Sequence, residues 1–210
     1  MRMTQLAAAV LACVAAGGAS AAAPDSYNML NGNTGSYNYW DETYTGAGCV
    51  TCDNSSLTGG KGDLTDGTIA NDNWFVTEAP PGNGPYVGWT LDPVITFHWN
   101  ASTVVNSVTF YLDDSNGAGG VSAPSGIIVN GNLYVVPEPA GSAPFSFTAG
   151  SVGFTGTDLQ VQLLRKNSWV FLSEVEFNGQ SNAIPEPETY ALMLAGLGVM
   201  ATVARRRKAK

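Results

Sequence analysis

The chain has 210 residues with a formal charge of −8, 44% hydrophobic residues and only 12% charged ones. With both ends set aside, residues 22–184 carry fifteen acids against three basic residues, Lys61, Arg165 and Lys166, a formal charge of −12. So acidic a body repels phosphate backbones, which excludes nucleic acid as a partner, and it suits cations, neutral glycans or solubility outside the cell. Its length is that of one domain with a core of its own.

Taken in chain order, Arg2 precedes an apolar run from Leu6 to Ala16 and the small residues Ala19-Ser20-Ala21. That pattern is a secretory signal peptide over 1–21, cut after Ala21 and exported by the Sec machinery; Cys13 leaves with it. Residues 24–73 are dense in Gly, Asn, Asp, Ser and Tyr and predict an irregular lead-in with one short strand near Tyr37–Trp40. Cys49 and Cys52 lie in this stretch. In an oxidising compartment they are expected to form a disulfide closing a tight loop. A redox Cys-x-x-Cys needs a strand-to-helix context that the flanking Gly and Asn residues do not supply, and zinc needs further ligands in a body with one histidine, His98.

From Trp74 onward, short apolar or alternating runs are closed by turn residues. Strands are predicted at 74–77, 87–91, 94–99 and 107–112. A hairpin is predicted over 126–136 around Asn130-Gly131. Further strands follow at 145–147, 159–164 and 169–177. No window has the period and caps of an amphipathic helix. The expected fold is therefore all-β, an antiparallel β-sandwich or jelly roll over 22–184, flanked by the signal peptide and a single C-terminal hydrophobic helix.

Residues 185–210 have three parts in fixed order. Pro185-Glu186-Pro187 comes first, held extended by its prolines. An apolar stretch from Tyr190 to Ala204 follows, short for a permanent span, which takes about 20 residues. Arg205, Arg206, Arg207 and Lys208 close it, a cluster retained on the cytoplasmic side. This tail resembles the PEP-CTERM sorting signal of Gram-negative bacteria. The resemblance implies transient anchoring in the inner membrane, removal of the tail by exosortase, and release to the cell surface or extracellular matrix. Pro137-Glu138-Pro139 has neither apolar stretch nor basic cluster after it and reads as a loop.

The body resembles a galactose-binding-like jelly roll of the discoidin (F5/8 type C) kind over about Leu57 to Gly179. Asp63-Leu64-Thr65-Asp66-Gly67 is similar to the early loop of those domains, Val94–Trp99 and Asn106–Tyr111 to two of their strands, and Trp169–Phe177 to their closing strand. His98 stands where they often carry an acid. The resemblance implies a calcium ion tying loop to closing strand through Asp66 and Glu174, with Asp63 and the carbonyls of Gly67 or Thr68 completing its oxygen shell. The alternative is a plain Asp-Gly turn and a solvated glutamate.

Of the five tryptophans, Trp99 and Trp169 alternate with aliphatics and are expected in the core. Trp40, Trp74 and Tyr86 lie in loop-like context and are the candidates for stacking on a sugar. No Gly-x-Ser-x-Gly elbow occurs, no positioned base is evident, and the paired acids Asp113-Asp114 and Glu174/Glu176 have no placed partner. The expectation is a non-catalytic surface or matrix protein, binding exopolysaccharide or acting as a purely structural or adhesive component. Ice binding and glycan hydrolysis are weaker alternatives.

Overall fold

The computed structural model describes residues 23–79 and 84–181. The signal peptide (1–21), the Pro185–Pro187 motif, the hydrophobic stretch and the Arg205–Lys208 cluster lie outside the described residues. Nine strands account for nearly all regular structure: β1 Ser26–Leu30, β2 Ser56–Gly60, β3 Val87–Trp89, β4 Val94–Leu112, β5 Gly126–Val129, β6 Asn132–Val135, β7 Phe145–Ala149, β8 Phe154–Leu164 and β9 Val170–Ser181. Every pairing between them is antiparallel.

The predicted strands at 94–99 and 107–112 are one 19-residue strand, β4, and it organises the fold. Its first half pairs with β1 and β8 and belongs to the run β2-β1-β4-β8-β5-β6. Its second half pairs with β9 and β7, and β9 carries β3. Two layers thus share one strand. Ile95, Phe97 and Trp99 point into the core from its first half, Val108, Phe110 and Leu112 from its second. The change from odd to even positions follows from the register shift between Val105 and Ser107, because an extra residue in one strand moves every later side chain to the other face. Across the layers, Phe97 meets Phe177 with ring centres 4.8 Å apart, and Trp99 meets Phe177 at 5.1 Å. The main cluster of core residues runs from Tyr27 to Phe177, so the body contains the apolar surface that folds it.

Two local outcomes follow directly from turn and disulfide chemistry. Asn130 and Gly131 join β5 to β6 with φ of 50° and 79°, the two positive angles that a type I′ hairpin turn requires. Cys49 and Cys52 are joined, with 5.4 Å between their Cα atoms, and the carbonyls of Cys49 and Val50 accept from Asn31 Nδ2.

Two expectations are corrected. Trp74–Thr77 is a one-turn helix, α1, not a strand; Asp113 accepts from its first backbone amide, giving that turn a partner that the local sequence does not contain. Residues 37–40 form no strand beyond an isolated bridge between Thr34 and Asn38. The lead-in instead contributes β1 and β2. Both are short, and Ser-Leu-Thr-Gly-Gly lacks the β-branched density that marks a strand in sequence.

Candidate functional site

β9 is buried on both faces at its start. Val170 and Leu172 enter the main core, while Phe171 enters a second, smaller cluster with Tyr39, Ala70, Tyr86 and Val121. The lead-in segment and α1 cover that outer face, and between them lies a cleft of about 300 Å³. Its walls are Gly35, Ser36 and Tyr39 of the lead-in, Trp74 of α1, Gly119 and Val121 of the turn after β4, and Trp169 and Phe171 of β9. Trp74 and Trp169 are half-buried.

The rings brace one another. Trp74 stacks on Phe171 at 6.0 Å and 18°. Tyr39 stands edge-on to Phe171 at 4.8 Å, to Trp169 at 5.2 Å and to Trp74 at 5.9 Å. Such edge-to-face sets hold ring planes in place without charge.

Backbone and polar contacts fix the frame. Asp113, fully buried, accepts from Asn73 Nδ2 at 2.6 Å, Ser115 Oγ at 3.0 Å and Trp74 N at 3.1 Å. Burial pushes its carboxyl up, against the pull of those bonds. Trp169 N donates to Gly120 O, and a parallel bridge joins Val121 to Trp169. Gly119 adopts φ of 62°, and a Cβ there would lie 2.5 Å from the Trp74 ring, so only glycine lets the turn close on that indole. Burial raises the Tyr39 hydroxyl to about 12, so it is a neutral donor. The cleft is lined by aromatic faces with two hydroxyls, Ser36 and Tyr39, and no carboxylate, histidine or cysteine.

The structure sorts the sequence candidates. Trp74 is in the cleft. Trp40 is not; its Nε1 donates to Asp53 Oδ1 at 2.8 Å, beside the disulfide loop. Tyr86 is removed from the set, because it is fully buried and offers no face to a ligand. Trp169, expected in the core, lines the cleft instead. Phe171 was missed. The i, i+2 spacing of Trp169 and Phe171 puts them on one strand face, and the cover above that face comes from residues far away in sequence.

Asp66 and Glu174 do come together. Both line a broader groove of about 710 Å³, with Thr65, Gly67, Glu176 and Asn178 among its walls. Glu174 Oε2 accepts from Gly67 N at 2.9 Å, so loop and closing strand are tied by a direct hydrogen bond. Burial, and then the Asp66 charge, raise Glu174 to about 7. Asp66 also accepts from Thr68 N. Asp63 does not join them: it bonds Thr43 Oγ1, and burial followed by the Asp41 charge raises it to about 7. Thr65 Oγ1, in the same loop, is buried without a hydrogen-bond partner. Among the described residues no three acidic, histidine or cysteine side chains gather as a metal cluster. A cation here would therefore take two carboxylates, with neutral oxygens such as Thr65 Oγ1 for the rest.

These features define an antiparallel β-sandwich with an aromatic cleft at one end of its closing strand. Residues 183–208 match the PEP-CTERM protein-sorting motif, which marks the chain as exported and surface-sorted through transient membrane anchoring and implies processing by exosortase. No curated protein matches the chain. Similar solved structures are lectin and carbohydrate-binding domains. A fucolectin from striped bass (Morone saxatilis) serum is 18% identical with a TM-score of 0.40, over 57% of this chain and 41% of that one. A fucose binding module of Streptococcus pneumoniae is 17% identical with a TM-score of 0.40, over 68% and 96%. The CBM32 of AlyQ, in complex with 4,5-unsaturated mannuronic acid, is 19% identical with a TM-score of 0.30, over 51% and 88%. The chain thus spans less than half the length of the fucolectin.

Proposed function

We propose that the exported body is a non-catalytic glycan-binding protein of the cell surface or extracellular matrix, and that the aromatic cleft holds the sugar. The observation that carries this reading is the cleft itself: the half-buried rings of Trp74 and Trp169, braced from beneath by the buried rings of Tyr39 and Phe171, with the exposed hydroxyl of Ser36 at its rim. Sugar rings present apolar C–H faces and a rim of hydroxyls, and a braced aromatic wall with few polar groups matches both. Its volume suits one or two sugar units rather than a long chain lying in a groove. The body charge of −12 favours a neutral glycan over an acidic one. No carboxylate, histidine or cysteine lines the cleft to activate the Ser36 hydroxyl, which supports binding without turnover. Calcium, if it binds, is held by Asp66 and Glu174; there it would neutralise two acids and fix the loop to β9.

The test is titration calorimetry of the 22–184 body against neutral exopolysaccharide oligomers chosen from a glycan array. Trp169→Ala is expected to weaken binding by about 2 kcal/mol, roughly thirtyfold, as for a buried aromatic anchor. Trp40→Ala, outside the cleft, is expected to leave it unchanged. No binding across a broad array, or equal loss with both variants, would overturn the reading. In that case a purely structural or adhesive matrix role becomes the better one.

A further inference from the structure

Charge is distributed unevenly along the body. From Ser115 to Thr157 the only charged residue is Glu138, whereas the rest of residues 22–184 holds the other fourteen acids and all three basic residues. This neutral stretch builds β5, β6 and β7. Glu138 is itself paired with Lys166 across the adjoining loop. One flank of a strongly acidic molecule is thus free of net charge.

β6 forms the outer edge of that flank. It is the last strand of the run β2-β1-β4-β8-β5-β6 and, among the described residues, pairs with β5 alone. Leu133 and Val135, two residues apart and so on one face, are 59% and 70% exposed. Half-buried Ile128 of β5 lies directly beside Leu133 in the ladder and widens the apolar stripe. Open edges invite strand pairing, and proteins guard them with lysine, proline, bulges or covering segments. β6 contains no lysine, proline or bulge, and among the described residues no segment covers it, so its one guard is its length of four residues.

The other edges differ. β3 is covered by the lead-in, with Asn33 N donating to Gly88 O and Gly88 N to Tyr39 O. β2 is bridged by Ala47 against Thr58. β7 pairs only with β4, but Phe145 and Phe147 pack on the core and Ser146 and Thr148 face outward.

We propose that β6 is a self-association edge, on which a second copy of this chain places its own β6 antiparallel about a two-fold axis. An antiparallel edge is complementary to itself, so one strand supplies both halves of the contact. The charge pattern selects the occupant. Two bodies of −12 repel each other wherever their acidic surfaces meet, and the β6 flank is where they approach with least repulsion. It offers a charged partner no counter-charge. Four residues of edge bury less than a standard interface, so pairing is weak in dilute solution and becomes effective where copies are concentrated, as on a crowded surface.

Sedimentation velocity of the 22–184 body from micromolar to millimolar concentration tests this. The expected result is a monomer–dimer equilibrium that strengthens as salt screens the like charges. Hydrogen exchange at Leu133 and Val135 should slow as concentration rises. Val135→Lys, at a site open enough to leave fold and melting intact, should weaken association by about tenfold or more, since it puts two like charges into the apolar edge contact. Ser146→Lys on β7 should not, and glycan binding should be unchanged by either, which separates this result from the cleft. A monomer at every concentration and salt overturns the proposal. So does association that weakens with salt, survives Val135→Lys, or protects β7 instead of β6.

Discussion

Glu78 offers the sharpest test of the electrostatics. It sits just after α1, fully buried. Its Oε1 accepts from Tyr86 N at 2.9 Å and its Oε2 from Gly84 N at 3.0 Å, which closes the loop leading into β3. Burial raises it from 4.5 to about 7, and the two amide bonds only partly oppose that rise. Between those values the folded protein keeps a proton that the unfolded chain has given up. Stability contributed by this group is therefore complete below the unfolded value and falls as pH rises through the folded one. The shift corresponds to about 3 kcal/mol.

Glu78→Gln keeps the site neutral at every pH and should remove this group's share of the dependence, leaving the shares of Asp63 and Glu174. The assay is urea unfolding of wild type and variant at about pH 5 and about pH 8, on either side of the window. Near the lower pH the variant should be less stable by about 1 kcal/mol, because its amide nitrogen cannot accept from one of the two backbone amides. Between the lower and the upper pH the difference should move in the variant's favour by about 3 kcal/mol, because it escapes burial of a charge. If the variant is equally destabilised at both pH values, Glu78 acts only as an acceptor for two amides and the reasoning from burial fails.

Two further outcomes follow from particular residues. Replacing Cys49 and Cys52 by alanine should lower stability by about 2 kcal/mol, the loop-closure value for so short a ring, read as a shift in the urea midpoint without a change in slope. If calcium occupies the loop at Asp66 and Glu174, millimolar calcium should raise the melting temperature relative to EDTA, and Glu174→Gln should abolish the rise; an identical melt with and without the ion removes that site.

Legibility in the sequence followed the range of the interactions. The Asn130-Gly131 hairpin was readable because two adjacent residues specify it. So was the disulfide, which spans three positions. β1 and β2 were not, since β1 takes its strand conformation from β4 and β2 takes its own from β1, rather than from any pattern in their own residues. Trp74–Thr77 looked like a strand from its side chains. Asp113, 39 residues away from Trp74, caps it into a helical turn.

The sequence by itself determined the class of fold, the acidic balance, the disulfide and the sorting tail. Each depends on composition, on alternation or on a contiguous motif. It also paired Asp66 with Glu174 by resemblance. Only the tertiary structure decided which aromatic residues matter. It buried Tyr86, sent Trp40 to Asp53, and brought Tyr39, Trp74, Trp169 and Phe171 from four separate places to one cleft. Ring contacts between distant segments depend on how the lead-in lies across β9. No local pattern records that, because the covering segment has no period of its own and is held by scattered bonds such as Asn33 to Gly88 and Gly88 to Tyr39.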